Sequence, residues 1–185
     1  TQIENSTLAQ TLDGEWKLAI DPDNIGRNER WFEAVREEAC EAPVPGIIQQ
    51  VFPAYHGVAW YWHSFILNGG SLKDNRVLIR FGAVDYLADV WLNGKHLGTY
   101  EGGETPFEFD VTDSIAANRN NLLAVRVLNP TEKPIDGIAL NQTPHRNKYI
   151  PPRCGGSFNS GGIMYPVQLQ TVPATYITDV FARPD

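Results

Sequence analysis

Apolar residues alternate with polar ones along much of this chain. In 76–81, Val77, Ile79 and Phe81 take every second position, the period of a strand with one face buried. Further strands are read at 15–20, 59–67, 87–92, 95–100, 107–111, 122–128, 167–171 and 176–183. Turn-forming residues separate them: Asn68-Gly69-Gly70, Asn93-Gly94, Gly102-Gly103 and the polar run 118–121. The sharpest is Asn93-Gly94, set between Val90-Trp91-Leu92 and Lys95-His96-Leu97. A two-residue type I′ turn needs positive φ at both central residues, which Asn-Gly tolerates, so a tight hairpin is predicted there. Many short strands at such spacing predict an all-β sandwich or barrel.

Helical spacing occurs once. Over 28–39, Trp31, Val35 and Ala39 recur every four residues with Phe32 beside them, and Asn28 can cap the start, so a short peripheral helix is predicted. A single helical turn is expected across 113–116. The stretch 129–162 has several prolines and glycines, scattered basic residues and no period. So long an irregular segment within a compact domain often carries function. With no internal repeat and no linker, one domain is expected over 1–185.

Charge and cysteine content narrow the partners. Fifteen Lys and Arg against 22 Asp and Glu leave a net charge of −7, which argues against nucleic acid or an anionic membrane surface. No apolar run approaches the length of a membrane-spanning helix. The first ten residues have no basic start and no apolar stretch, so they do not read as a signal peptide. Cys40 and Cys154 read first as separate thiols, with a single long-range bridge as the alternative. Neither sits in a CxxC pair or beside a spaced His, so no metal site is expected, and no cofactor.

Seven motifs stand in a telling order. They are Asp13-Gly14-Glu15-Trp16, Pro43-Val44-Pro45-Gly46, GVAWYWHSF at 57–65, RFGAVDYLADVWLNGK at 80–95, YEGGETPFEFDVT at 100–112, NLLAVRVLN at 121–129 and SGGIMYPVQL at 160–169. Together they resemble the N-terminal sugar-binding domain of glycoside hydrolase family 2, the group of β-galactosidases, β-glucuronidases and β-mannosidases. The resemblance covers about residues 12–183. It implies a jelly-roll β-sandwich of the galactose-binding-domain-like type. It also implies an immunoglobulin-like domain and a catalytic barrel downstream, with the two catalytic glutamates on the barrel.

The chain itself shows no paired-carboxylate pattern for glycoside hydrolysis. Glu29, Glu33, Glu37 and Glu38 read as a solvated face. Trp60 and Trp62 share one strand face and Tyr61 the other, so core packing is preferred over sugar stacking for the two indoles. Trp91, on the opposite face from Val90, is likewise read as packed. Asp89 is read as an exposed salt-bridge residue, and Asp110 as a cap on the following turn.

The long segment is the best place to seek function. Pro144-His145-Arg146-Asn147-Lys148 carries three cationic or titratable side chains in five residues. In the family this loop leads into the Gly-Gly-Ile turn and projects toward the barrel's active site. Several members place an acidic, sugar-binding residue just before that turn; aligned on Gly161-Gly162-Ile163, the position falls at Gly156, which has no carboxylate. The substrate-binding candidates are therefore His145, Arg146, Arg153, Ser157 and Asn159. The resemblance implies a non-catalytic domain whose partners are a carbohydrate (a β-glycoside) and the remaining domains of the same enzyme. A stand-alone carbohydrate-binding module or lectin-like adhesion domain is the alternative, because the same architecture hosts both.

Overall fold

The computed structural model describes residues 8–67, 74–144, 148–149, 157–176 and 181–183. Among these the strands are β1 (Leu8–Thr11), β2 (Gly14–Ile20), β3 (Cys40–Val44), β4 (Gly57–Ile66), β5 (Asn75–Phe81), β6 (Val84–Asp85), β7 (Leu87–Leu92), β8 (Lys95–Glu101), β9 (Phe107–Asp110), β10 (Asn120–Asn129), β11 (Lys148–Tyr149), β12 (Ser157–Phe158), β13 (Gly162–Ile163) and β14 (Val167–Pro173). A four-stranded sheet runs β1-β14-β5-β9 and a six-stranded sheet runs β3-β2-β4-β10-β7-β8, antiparallel throughout. The fold is the expected all-β jelly-roll sandwich.

The alternation seen in sequence builds the core between the sheets. Val77, Ile79 and Phe81 of β5 and Leu169 of β14 meet Tyr61, Val90, Val125 and Val127 from the larger sheet. The hairpin at Asn93-Gly94 forms as predicted: both residues have positive φ, and Leu92 pairs with Lys95. Asp110 accepts from the Thr112 N–H at 3.0 Å, the expected cap, and the chain turns once through 112–114.

The central strands β4 and β10 are buried on both faces, which is why 57–62 reads as a continuous apolar run rather than an alternation. Behind the larger sheet, Val58, Trp60, Trp62, Trp91, Ala124 and Leu128 form a second core with Trp31. Phe32, Ile135 and Ile138 pack against it. Each buried indole N–H of β4 finds an acceptor: Trp60 donates to Asp21 Oδ2 at 3.0 Å, and Trp62 to the Trp31 carbonyl at 2.8 Å. Trp60, Tyr61 and Trp62 are all packing residues.

Two readings are corrected. Residues 28–39 hold one 3₁₀ turn, Trp31–Glu33, in place of the longer helix. Asp21 accepts the N–H groups of Ile25 and Gly26, Arg30 is left-handed at φ 57, and Ala34 is extended, so the backbone cannot propagate a helix. Adjacent Trp31 and Phe32 both pack on the sheet, while Val35 is exposed. Asp89 is buried rather than exposed. It lies opposite Arg126 on β10 and bonds to it at 3.1 Å. Cross-strand pairing with a fully buried guanidinium draws it inside the second core.

Other readings fall partly outside the described residues. Of the strand expected at 176–183, Tyr176 and 181–183 are not in a strand, and 177–180 lie outside. Cys40 is a free thiol pointing at the Leu18 carbonyl; Cys154 lies outside.

Candidate functional site

At one end of the sandwich, β10 ends at Asn129 beside Pro130, and the first residue of β4, Gly57, pairs with it. The long segment returns to this end. β11 pairs parallel with β12, Lys148 opposite Ser157 and Tyr149 opposite Phe158, so both ends of 150–156 are held side by side. β13 then pairs with β6, Gly162 opposite Asp85. The segment expected to lack regular structure is thus closed on itself by one two-residue pairing and joined to β6 by another.

Glycine makes that stitching possible. Gly162 has φ +145, and a Cβ there would lie 2.7 Å from the Gly46 carbonyl and 2.9 Å from Tyr61 Oη. Only a residue without a side chain allows both the backbone angle and the approach. Ile48 N–H bonds to the Gly161 carbonyl and Gly46 N–H to the Ile163 carbonyl, both at 2.8 Å. Burial pushes the Tyr61 hydroxyl well above its usual range.

A chain of polar side chains ties the neck of the loop to the sandwich. Asn159, buried, donates to the Pro130 carbonyl at 2.6 Å. Its oxygen accepts from Asn129 Nδ2 at 3.0 Å. Asn129 Oδ1 accepts from Gln49 Nε2 at 3.0 Å and faces His56 Nδ1 at 2.9 Å. Gln49 Nε2 also donates to the Tyr55 carbonyl, while its oxygen accepts from Gly161 N–H. Backbone groups of fixed polarity stand at both ends of this chain, a carbonyl at Pro130 and an N–H at Gly161. They leave one consistent orientation for every amide, and His56 must carry its proton on Nδ1. Nearby, burial and the Asp21 charge push the Tyr55 hydroxyl up to about 12, and it donates to the Val58 carbonyl.

Ion pairing holds the other side of the neck. Lys148 Nζ pairs with Asp85 Oδ2, both side chains largely buried. One of the cations of 144–148 is therefore used inside the fold. Tyr86 donates to Glu101 Oε1 at 2.6 Å, and burial together with that carboxylate raises its hydroxyl strongly.

The sequence candidates are placed as follows. Ser157 opens β12 at the neck. Asn159 sits beneath it with both ends of its amide engaged by the protein. His145, Arg146 and Arg153 lie outside the described residues, as does Gly156. Gln49, His56 and Asn129 were not singled out from sequence. They come from segments far apart in the chain and meet only in the fold. A cleft of about 340 Å³ opens beside them, bounded by Gln49, His56, Phe158 and Ser160. Among the described residues, no group of three or more His, Cys, Asp or Glu is arranged to hold a metal ion.

The chain matches the family described as glycosyl hydrolases family 2, sugar binding domain, over residues 43–173. It is 30% identical to a β-glucuronidase of Paenibacillus borealis, over 94% of this chain and 31% of that protein. It is 31% identical to the human β-glucuronidase, over 97% and 31% respectively. Among solved structures, a β-glucuronidase from an uncultured Clostridium superposes with TM-score 0.73 at 29% identity, covering 94% of this chain and 30% of that one. The Bifidobacterium dentium β-glucuronidase complexed with coumarin-3-O-glucuronide gives 0.72 at 28%, covering 94% and 31%. The chain thus spans less than a third of the relatives it matches. With the family matched over most of its length and the sandwich in place, the chain belongs to the sugar-binding domain family of the family 2 glycosyl hydrolases.

Proposed function

We propose that this chain is the non-catalytic sugar-binding part of a longer glycoside hydrolase acting on β-glucuronides. The observation that carries the reading is its match, over nearly its whole length, to less than a third of several β-glucuronidases. The catalytic carboxylates then belong to the remainder of the longer protein. The neck formed by β11 and β12 supports a role for 150–156 in the substrate site, because it gathers both ends of that stretch at one end of the sandwich. His145, Arg146, Arg153 and Ser157 are the side chains proposed to reach sugar hydroxyls. Asn159, its amide engaged, holds the neck that carries them. The same reading takes the exposed rings of Tyr165 and Phe181 as contact points for the other domains.

The test is to assay the longer protein and residues 1–185 alone against 4-nitrophenyl β-D-glucuronide, β-D-galactoside, β-D-glucoside and β-D-mannoside. The longer protein turns over the glucuronide in preference to the others, and the short chain turns over none. Turnover by the short chain, or no glycosidase activity in the longer protein, overturns the reading.

A further inference from the structure

His56 is held in one tautomer by a relay that ends on backbone groups, and that leaves its other ring nitrogen defined. Because Asn129 Oδ1 already accepts from Gln49, the contact with His56 Nδ1 at 2.9 Å requires the proton on Nδ1. The Asn159 amide nitrogen donates to the Pro130 carbonyl at 2.6 Å and lies 3.5 Å from the same Nδ1, well beyond the 2.9 Å of the Asn129 contact. In the neutral ring, Nε2 is then a lone-pair acceptor, with no hydrogen-bond partner among the described residues. His56 is half-buried and borders the 340 Å³ cleft.

The rest of the cleft defines what Nε2 can meet. Among the described residues, none of the side chains lining it is an acid, a lysine or an arginine. Phe158, 63% exposed, forms one wall, and Ser160 adds a hydroxyl. An oriented acceptor, a hydroxyl and an aromatic ring suit a ring compound that bears hydroxyl groups on its edge and C–H groups on its face. We propose that the cleft is a hydroxyl-recognition subsite, in which His56 Nε2 accepts from a sugar hydroxyl while the C–H face of the sugar lies against Phe158. The inference rests on the sugar-binding reading above and adds to it a subsite built where the 49–56 turn meets the 158–160 end of the long segment.

Two variants of the full-length protein separate this role from folding. His56→Asn keeps a donor close to where Nδ1 stood, so the bond to Asn129 is retained, but it removes the acceptor. Phe158→Ala alters an exposed ring. Binding of methyl β-D-glucuronide and methyl β-D-glucoside is measured by titration calorimetry alongside thermal unfolding. Loss of one neutral hydrogen bond predicts a Kd weaker by about five- to tenfold in His56→Asn, with an unchanged Tm. Phe158→Ala is expected to weaken both sugars by about threefold or more. Affinity within about twofold of wild type in a folded His56→Asn overturns the proposal, even if Tm shifts, because the cleft then serves packing between parts of the protein. If His56→Asn does not fold, Phe158→Ala decides: affinity within about twofold of wild type overturns the proposal. A wild-type protein that binds neither sugar defeats the sugar-binding reading itself, an outcome distinct from binding that ignores His56.

Discussion

Arg126 and Asp89 face each other on adjacent strands with 3.1 Å between Nη1 and Oδ2, and the guanidinium is completely shielded from water. Its other terminal nitrogen reaches Asp136 at 2.6 Å and Asn24 at 2.8 Å. One cation thus joins the sheet to the segments that cover its outer face. Burial lowers the affinity of Arg126 for its proton, and the two aspartates oppose that effect.

Removing the cation leaves the buried Asp89 with Arg27 at 3.8 Å as its nearest cation, while Asp136 keeps Arg27 at 2.5 Å. Arg126→Met is expected to destabilise the fold by about 3–5 kcal/mol, the usual cost of leaving a buried charge without its partner. Arg27 also contacts Asp136, at 2.5 Å, but is 41% exposed, so Arg27→Ala is expected to cost no more than about 1 kcal/mol. Urea denaturation of both variants measures the difference. Equal losses would show that the pair is energetically a surface feature.

Acid should loosen the same cluster. Burial pushes the Asp136 carboxyl up, but the Arg126 charge, the Asn24 bond and Arg27 outweigh it and hold it below its usual value of 3.8. A carboxyl held lower in the folded state adds stability that is complete above the unfolded value and lost as pH falls through the folded one. Stability is therefore expected to be steady from pH 7 to about 5 and to fall below about pH 4. Asp136→Asn should be less stable at pH 7 and show a shallower acid limb. An acid limb identical to wild type in that variant counts against the assignment.

Gly161 tests the neck. A Cβ there would stand 2.5 Å from Asn129 Cγ and 2.6 Å from its Nδ2, so the amide relay must shift to admit it. Gly161→Ala is expected to cost about 1–3 kcal/mol, the range for overpacking a tight site. Gly137→Ala meets nothing within 4 Å but has φ +83, so it reports backbone strain alone and serves as the comparison. Differential scanning calorimetry of the two separates packing at Asn129 from strain.

Much of the sandwich was legible because β5 alternates and the Asn93-Gly94 turn specifies its hairpin with two residues, whereas β1 and β3 were not read. The cover over the outer sheet face was not. Trp31 and Phe32 are neighbours that both pack inward, an arrangement without helical spacing, and the turn before them is set by the Asp21 carboxylate rather than by propensity. Asp89 looked exposed because its partner lies 37 positions away and one strand over. Of the polar relay only Asn159 stood out in the sequence, and for a role in sugar binding. Its members at 49, 56, 129 and 159 are ordinary amides and a histidine until β10 and β13 bring them together. Gly161 and Gly162 stood out in the sequence as part of the Gly-Gly-Ile turn, while the residues they make room for did not.

The account stands most directly on whether this chain lends side chains to the substrate site of a glycosidase. Arg153 lies between β11 and β12 in sequence, on the stretch whose two ends the neck holds. The deciding measurement is kcat/KM of the longer protein on 4-nitrophenyl β-D-glucuronide, wild type against Arg153→Ala. Losing a charged hydrogen-bond donor that acts on the bound sugar predicts a fall of about tenfold or more with Tm unchanged. A kcat/KM within about twofold of wild type would contradict the account and leave the loop a structural element.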